Sequence, residues 1–164
     1  MLRAALVGML VALVSAPVAC ADPGPQQPGP PPPGPPPQAD QCTADLEGAM
    51  TRLPGSDTLS VCRGGAWQAV RGPQPPAGRW VSTDSPLKLH GQGMRNPDME
   101  AGKWTGTPRN SGTRCSAQQQ VVVSPGELST PSTVEGDPGQ PLQFDVSPRM
   151  FLIELGGDCV WARS

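Results

Sequence analysis

Proline and glycine interrupt this chain too often for a long helix to run through it: 23 prolines and 20 glycines fall among 164 residues. Proline fixes φ and has no backbone N–H to donate, and glycine loses the most freedom on ordering. Tyrosine is absent and charged residues are scarce. Such a chain favours turns and short strands. The extreme case is Pro23–Pro37, with ten prolines in fifteen positions. It can form neither helix nor ladder, and as polyproline II it would span roughly 45 Å. Two readings stay open for it, a spacer and a passive disordered tail.

The tract follows an export signal. Arg3 is the only charge before Asp22, and Ala4–Val14 is an unbroken apolar run. That run is too short for a membrane span of about 20 residues. Ala19-Cys20-Ala21 places alanine at −3 and −1, so cleavage would release a soluble chain beginning at Asp22. The alternative is lipidation of Cys20. Pro17, standing where a lipobox needs a bulky aliphatic residue, speaks against it. The expected location is secreted, extracellular or cell wall, with a lipid anchor through Cys20 as the other route.

Without Arg3, the twelve basic residues fall to 11 against 14 acidic ones. No basic stripe exists, so nucleic acid and anionic lipid surfaces are poor partners. Either processing route also removes Cys20 from the thiol count and leaves Cys42, Cys62, Cys115 and Cys159. An exported chain meets an oxidising compartment, so two disulfides are expected. Three pairings are open. The sequence-local one, Cys42–Cys62 with Cys115–Cys159, is preferred because each pair lies within one compositional segment. Zinc would want C-x₂₋₄-C spacing or several histidines, and the chain has one histidine.

The pattern divides the chain into a signal peptide (1–21), a Pro/Gly-rich spacer (22–38), a helix-plus-hairpin annex (39–72), a proline link (73–76) and a β-domain (77–164). In the annex, Leu46, Ala49, Met50 and Leu53 recur at helical spacing. Thr43 would cap that helix, Asp45 and Glu47 would favour its N-terminus, and Pro54-Gly55 would end it. Thr58–Cys62 and Ala66–Val70 around Gly64-Gly65 predict a hairpin. The β-domain is predicted to hold strands at Arg79–Ser82, Leu87–Gly91, Gly102–Thr107, Arg114–Val123, Leu142–Val146, Met150–Leu155 and Cys159–Ala162. Leu142, Phe144 and Val146 alternate with Gln143 and Asp145, the mark of a strand with one buried face. The fold class is therefore mainly β: a small disulfide-stapled sandwich or barrel with the annex at its N-terminus.

One segment repeats. Ala77-Gly78-Arg79-Trp80-Val81-Ser82-Thr83 returns as Ala101-Gly102-Lys103-Trp104-Thr105-Gly106-Thr107. Two equivalent strand entries, each turning a tryptophan into the core, would produce this.

Pro97–Trp104, Cys115, Gly139–Val146 and Asp158-Cys159-Val160-Trp161 together resemble a β-module of exported actinobacterial proteins. In that module a D-I-x-P-G-T-Y entry precedes a cysteine and G-C-x-W closes the domain. Here Trp104 stands for the tyrosine and Ala101 for the proline. With its signal, its Asp22-Pro23 start and its proline tract, the chain is similar to small mycobacterial secreted proteins of unknown function. The resemblance covers roughly Asp98–Arg163. It implies a β fold, a Cys115–Cys159 bridge and an exported location, and it carries no catalytic residues.

Candidate chemistry is sparse. Any triad must run through His90, and Ser82 and Ser85 near it are ordinary strand-edge serines with no G-x-S-x-G elbow. Asp98, Glu100, Glu127, Glu135 and Glu154 are available as carboxylates for glycoside hydrolysis, which needs a facing pair. Asp84, Asp137 and Asp158 sit where turns favour aspartate. No cofactor fingerprint appears. The leading expectation is a non-catalytic envelope or secreted module that binds a wall component, a peptide or a host protein. Whichever of Trp67, Trp80, Trp104 and Trp161 are exposed would be its contacts. The alternative is a small secreted hydrolase using acidic residues.

Overall fold

The computed structural model describes residues 41–164. The signal peptide, Cys20, the start at Asp22 and the proline tract lie outside the described residues.

Twelve strands form among these residues: β1 (Met50–Arg52), β2 (Leu59–Arg63), β3 (Ala66–Ala69), β4 (Arg79–Ser82), β5 (Leu87–His90), β6 (Gly102–Pro108), β7 (Ser116–Ser124), β8 (Glu127–Leu128), β9 (Ser132–Glu135), β10 (Leu142–Val146), β11 (Met150–Gly156) and β12 (Cys159–Arg163). The larger sheet has the order β10-β6-β12-β4-β1-β2-β3, and the smaller β5-β11-β7-β8, with β9 also on β7. Neither sheet closes, so of the two expected architectures the chain takes the sandwich and not the barrel. Within the described residues β1 and β4 pair in parallel, at Met50 and Trp80, and the other ladders are antiparallel.

Inward-facing residues of both sheets build the main core. Trp80, Trp104 and Trp161 come from the larger sheet, and Leu89, Ile153 and Leu155 from the smaller. Cys115, just before β7, bonds Cys159, the first residue of β12, with Cα atoms 6.0 Å apart. This bridge ties one sheet to the other. A second cluster covers the outer face of the larger sheet, where Leu46, Ala49 and the Cys42–Cys62 bridge lie against Val81. Trp67 and Val160 pack onto it.

The helix expected from Leu46, Ala49, Met50 and Leu53 does not form. A single 3₁₀ turn, Ala44–Leu46, is present, and the Thr43 side chain does not cap it. Gly48 then takes φ 77°, in the left-handed region, and turns the chain out of helix. Met50–Arg52 continues as β1, with ladder partners on both sides. A helix of about 11 residues is marginal alone, so two-sided pairing wins. The helical spacing was instead a division of labour, since Leu46 and Ala49 enter the outer cluster and Met50 the main core. The hairpin forms as expected, with Gly64 and Gly65 both at positive φ, 57° and 79°. That is the two-residue turn whose twist matches the strands it joins. Its strands extend the larger sheet and do not stand apart from it.

The repeated segments form β4 and β6, which flank β12 from opposite sides. Each tryptophan is anchored by its indole N–H, Trp80 to the Ala77 carbonyl at 3.1 Å and Trp104 to that of Glu100 at 3.0 Å.

Candidate functional site

Alternation along β12 turns Cys159 and Trp161 inward and leaves Val160 and Ala162 on the outer face. There they floor a cleft of about 640 Å³. Register sets the flanks: Arg79 of β4 lies beside Ala162, and Thr107 of β6 beside Val160. One wall is the N-terminal turn with Thr43 and Asp45, held in place by the Cys42–Cys62 bridge. The opposite wall is Pro108, Arg109 and Asn110, where the chain leaves β6, together with Asp158 of the turn before β12.

Two of its four charged side chains pair with each other, and a third is held by a backbone carbonyl. The Arg109 guanidinium donates to the Asp158 carboxylate at 3.0 Å, and the two side chains are only 10% and 15% exposed. A backbone bond from Arg109 N–H to Asp158 C=O, also 3.0 Å, fixes the same pair. A charge-assisted bond in so shielded a place is short, oriented and weakly screened by salt. Across the floor, Arg79 donates through Nη2 to the Asp45 carbonyl at 2.6 Å, while its buried Nε has no partner. The Asp45 carboxyl is held below the usual carboxylate value. The main cause is the hydrogen bond from the Thr43 side chain; slight burial opposes it, and its own backbone amide and the Arg109 and Arg79 charges add to it. Asp45 therefore stays ionised at neutral pH.

Three of the four tryptophans expected as candidate contacts are elsewhere. Trp80, Trp104 and Trp161 are fully buried and serve the core, because a ring on an inward-facing strand position is enclosed by the opposite sheet. Trp67 is half-buried against the outer cluster.

The acidic candidates are scattered. Asp98 pairs with His90, Glu100 with Arg163, Glu135 with Arg114 and Glu154 with Lys88, while Glu127 accepts from Ser124. Of the aspartates read as turn residues, Asp158 alone reaches the cleft. His90 closes a loop. The Asp98 carboxylate accepts its backbone N–H at 2.8 Å and lies 3.4 Å from Nδ1, and the His90 carbonyl accepts from Asp98 and Met99. The Ser82 hydroxyl lies in the core, bonded to Trp161 and Gly157. The four cysteines among the described residues are all in disulfides.

Asp45, Arg79, Thr107, Arg109 and Asn110 carried no signal of a shared site in the sequence. They meet because β12 brings β4 and β6 together and the first bridge folds the N-terminal turn over them. No family model, curated protein or solved structure matches the chain.

Proposed function

We propose that this chain is a non-catalytic exported binding module that holds part of an envelope component, a peptide or a host protein in the outer-face cleft. The observation that carries this is a pre-formed cleft with an apolar floor, in which Arg109 and Asp158 are paired and Arg79 is held by the Asp45 carbonyl. Few fixed polar groups over an apolar floor are the usual make-up of a ligand site, and rigid walls reduce the entropy lost on binding. Two disulfides fit an oxidising compartment. Among the described residues no helix is long and apolar enough to cross a membrane.

Asp45 and Asp158 line the same cleft, which gives the hydrolase reading its one foothold. A glycosidase needs one carboxyl raised to act as general acid. Asp45 is pushed the other way and Asp158 is bound to Arg109, so binding is favoured.

The test uses the mature chain from Asp22, immobilised and exposed to cell-envelope fractions, beside Ala162→Trp, which fills the floor from an exposed position. Retention of a component by the native cleft and its loss in Ala162→Trp supports the reading. Equal retention by both would refute it, and consumption of the retained material over time would favour the hydrolase.

A further inference from the structure

We propose that the pocket where β1 and β4 end binds a carboxylate with a small apolar body, such as the C-terminus of a peptide ending in an apolar residue. This pocket shares no lining residue with the outer-face cleft and does not depend on it.

β1 and β4 run parallel, so their C-terminal ends lie at the same end of the larger sheet. β1 leaves through Leu53-Pro54-Gly55-Ser56, where the Ser56 N–H donates to the Leu53 carbonyl at 3.0 Å. Proline at the second position and glycine at the third, with φ 75°, suit a type II turn. β4 leaves through Thr83, Asp84, Ser85 and Pro86 toward β5. Between the two exits lies a pocket of about 250 Å³. Leu53, Pro54, Pro86 and Leu87 give it apolar walls, and Arg52 is its one charged lining residue.

The Arg52 guanidinium is held from one side. Its Nη1 donates to the Asp57 carbonyl at 2.7 Å. Nε and Nη2 form the other edge, two N–H groups spaced to meet one carboxylate. Nε is buried and has no partner, and no described residue accepts from Nη2. Arg79 is the other described residue with such a buried Nε, but its Nη2 already donates to the Asp45 carbonyl. Arg52 also forms no ion pair among the described residues. Asp57 and Asp84, in the two connections, are exposed and line no part of the pocket.

Two hydroxyls add to the donor set. Those of Thr51 and Ser82 are spent, on the Val81 carbonyl and in the core. Those of Thr83 and Ser85 have no partner among the described residues. Burying a donor with no acceptor costs free energy, which a bound acceptor offsets. A carboxylate along the Nε and Nη2 edge would accept from both, and shielding from bulk water keeps such a pair weakly screened. Its apolar body would then rest between the Leu53 and Pro86 walls.

The probe is N-acetylvaline, titrated against the mature chain by NMR, with N-acetylvalinamide as the control of equal shape and no charge. A Kd of about 1–10 mM is expected for the acid, and weakening by about 10-fold or more for the amide. The Arg52 Nε–H signal should move with the acid and stay in place with the amide. Arg52→Gln should weaken the acid about 10-fold or more, and Arg52→Lys should recover only part, since an ammonium keeps the charge and loses the paired edge. Ser85→Ala should weaken it about 3-fold. Ala162→Trp should bind it unchanged.

Equal affinity for acid and amide, or unchanged binding by Arg52→Gln, would overturn the proposal. So would an Arg52 Nε–H signal that does not respond to the acid. If Arg52→Gln loses its cooperative melt, the Nε–H signal of the native chain and the Ser85→Ala affinity decide.

Discussion

The indole N–H of Trp161 donates to the hydroxyl of Ser82 at 2.8 Å in the buried heart of the larger sheet. That hydroxyl in turn donates to the Gly157 carbonyl at 2.6 Å, so both of its roles are filled. On the other side of β12, the Trp161 ring lies against Gly106, where an added Cβ would meet Cζ3 at 2.4 Å. Phe144 meets the same ring edge to face, with centroids 5.7 Å apart. Ser82 and Gly106 hold the same position in the two repeated segments. The repeat thus grips one tryptophan from two sides, with a hydroxyl where the N–H points and no side chain where the ring lies.

Gly106→Val should therefore destabilise the fold although valine suits a strand, because its side chain overlaps the ring. A cost of about 1–3 kcal/mol or more is expected for such overpacking. Ser82→Ala leaves a buried indole N–H and the Gly157 carbonyl without a partner and should cost about 1–3 kcal/mol. Chemical denaturation of each variant checks this. A Gly106→Val midpoint at or above that of the native chain would contradict the packing described.

The two disulfides should differ in weight. In the chain-entropy account the stabilisation grows with the loop closed. Cys115–Cys159 closes a separation of 44 residues and Cys42–Cys62 one of 20. This corresponds to about 4 kcal/mol against about 3 kcal/mol. Cys115–Cys159 also joins the two sheets, so Cys115→Ala with Cys159→Ala should lower the melting temperature more than Cys42→Ala with Cys62→Ala. The reverse order in thermal melts would overturn the ranking.

Much of the β-domain was legible because its strands announce themselves by side chain. β4 and β10 have the bounds their apolar pattern predicts, and Leu142, Phe144 and Val146 are the buried members of their strand. The disulfide pairing followed from segment composition, and the matched tryptophans from the repeat. Other parts left no trace. β9 is exposed along its whole length and is held by backbone pairing to β7, so no hydrophobic period marks it. β1 was hidden because its flanking residues serve two different cores, which mimics one helical face. The cleft was hidden for a further reason. Asp158 reads as a turn residue and Asp45 as a residue at the start of a helix that does not form, and only the tertiary placement of β12 against its neighbours makes them neighbours of Arg79 and Arg109.

Asp45 supplies a pH test of that placement. Its carboxyl is lowered in the folded chain from the ordinary 3.8, chiefly by the Thr43 hydrogen bond. A group lowered on folding contributes stability above its unfolded pKa and loses it as pH falls through the folded one. The contribution is small, because Asp45 is exposed and solvent screens it. Its titration by NMR should show a midpoint below 3.8. Thr43→Val should move that midpoint up more than Arg79→Ala does, since the hydrogen bond outranks the Coulomb effect. A larger shift from Arg79→Ala would place the arginine closer to the carboxylate than the fold does.

The last prediction separates the two roles of the Arg109–Asp158 pair, holding the cleft and holding the fold. Both side chains are shielded, so removing Arg109 leaves the Asp158 carboxylate poorly solvated and without that guanidinium. The pair is not fully enclosed, and water can relieve part of that penalty. Arg109→Ala should therefore cost about 1–3 kcal/mol, less than the loss of a partner in a deep core. Asp158→Asn keeps shape and an acceptor while removing the charge, and should cost less. In the double variant the two costs should not add, because the charge left behind by the first change is gone. A double-mutant cycle in denaturant measures that coupling. Strict additivity would show that Arg109 and Asp158 act separately, and the wall of the cleft would then owe nothing to their pairing.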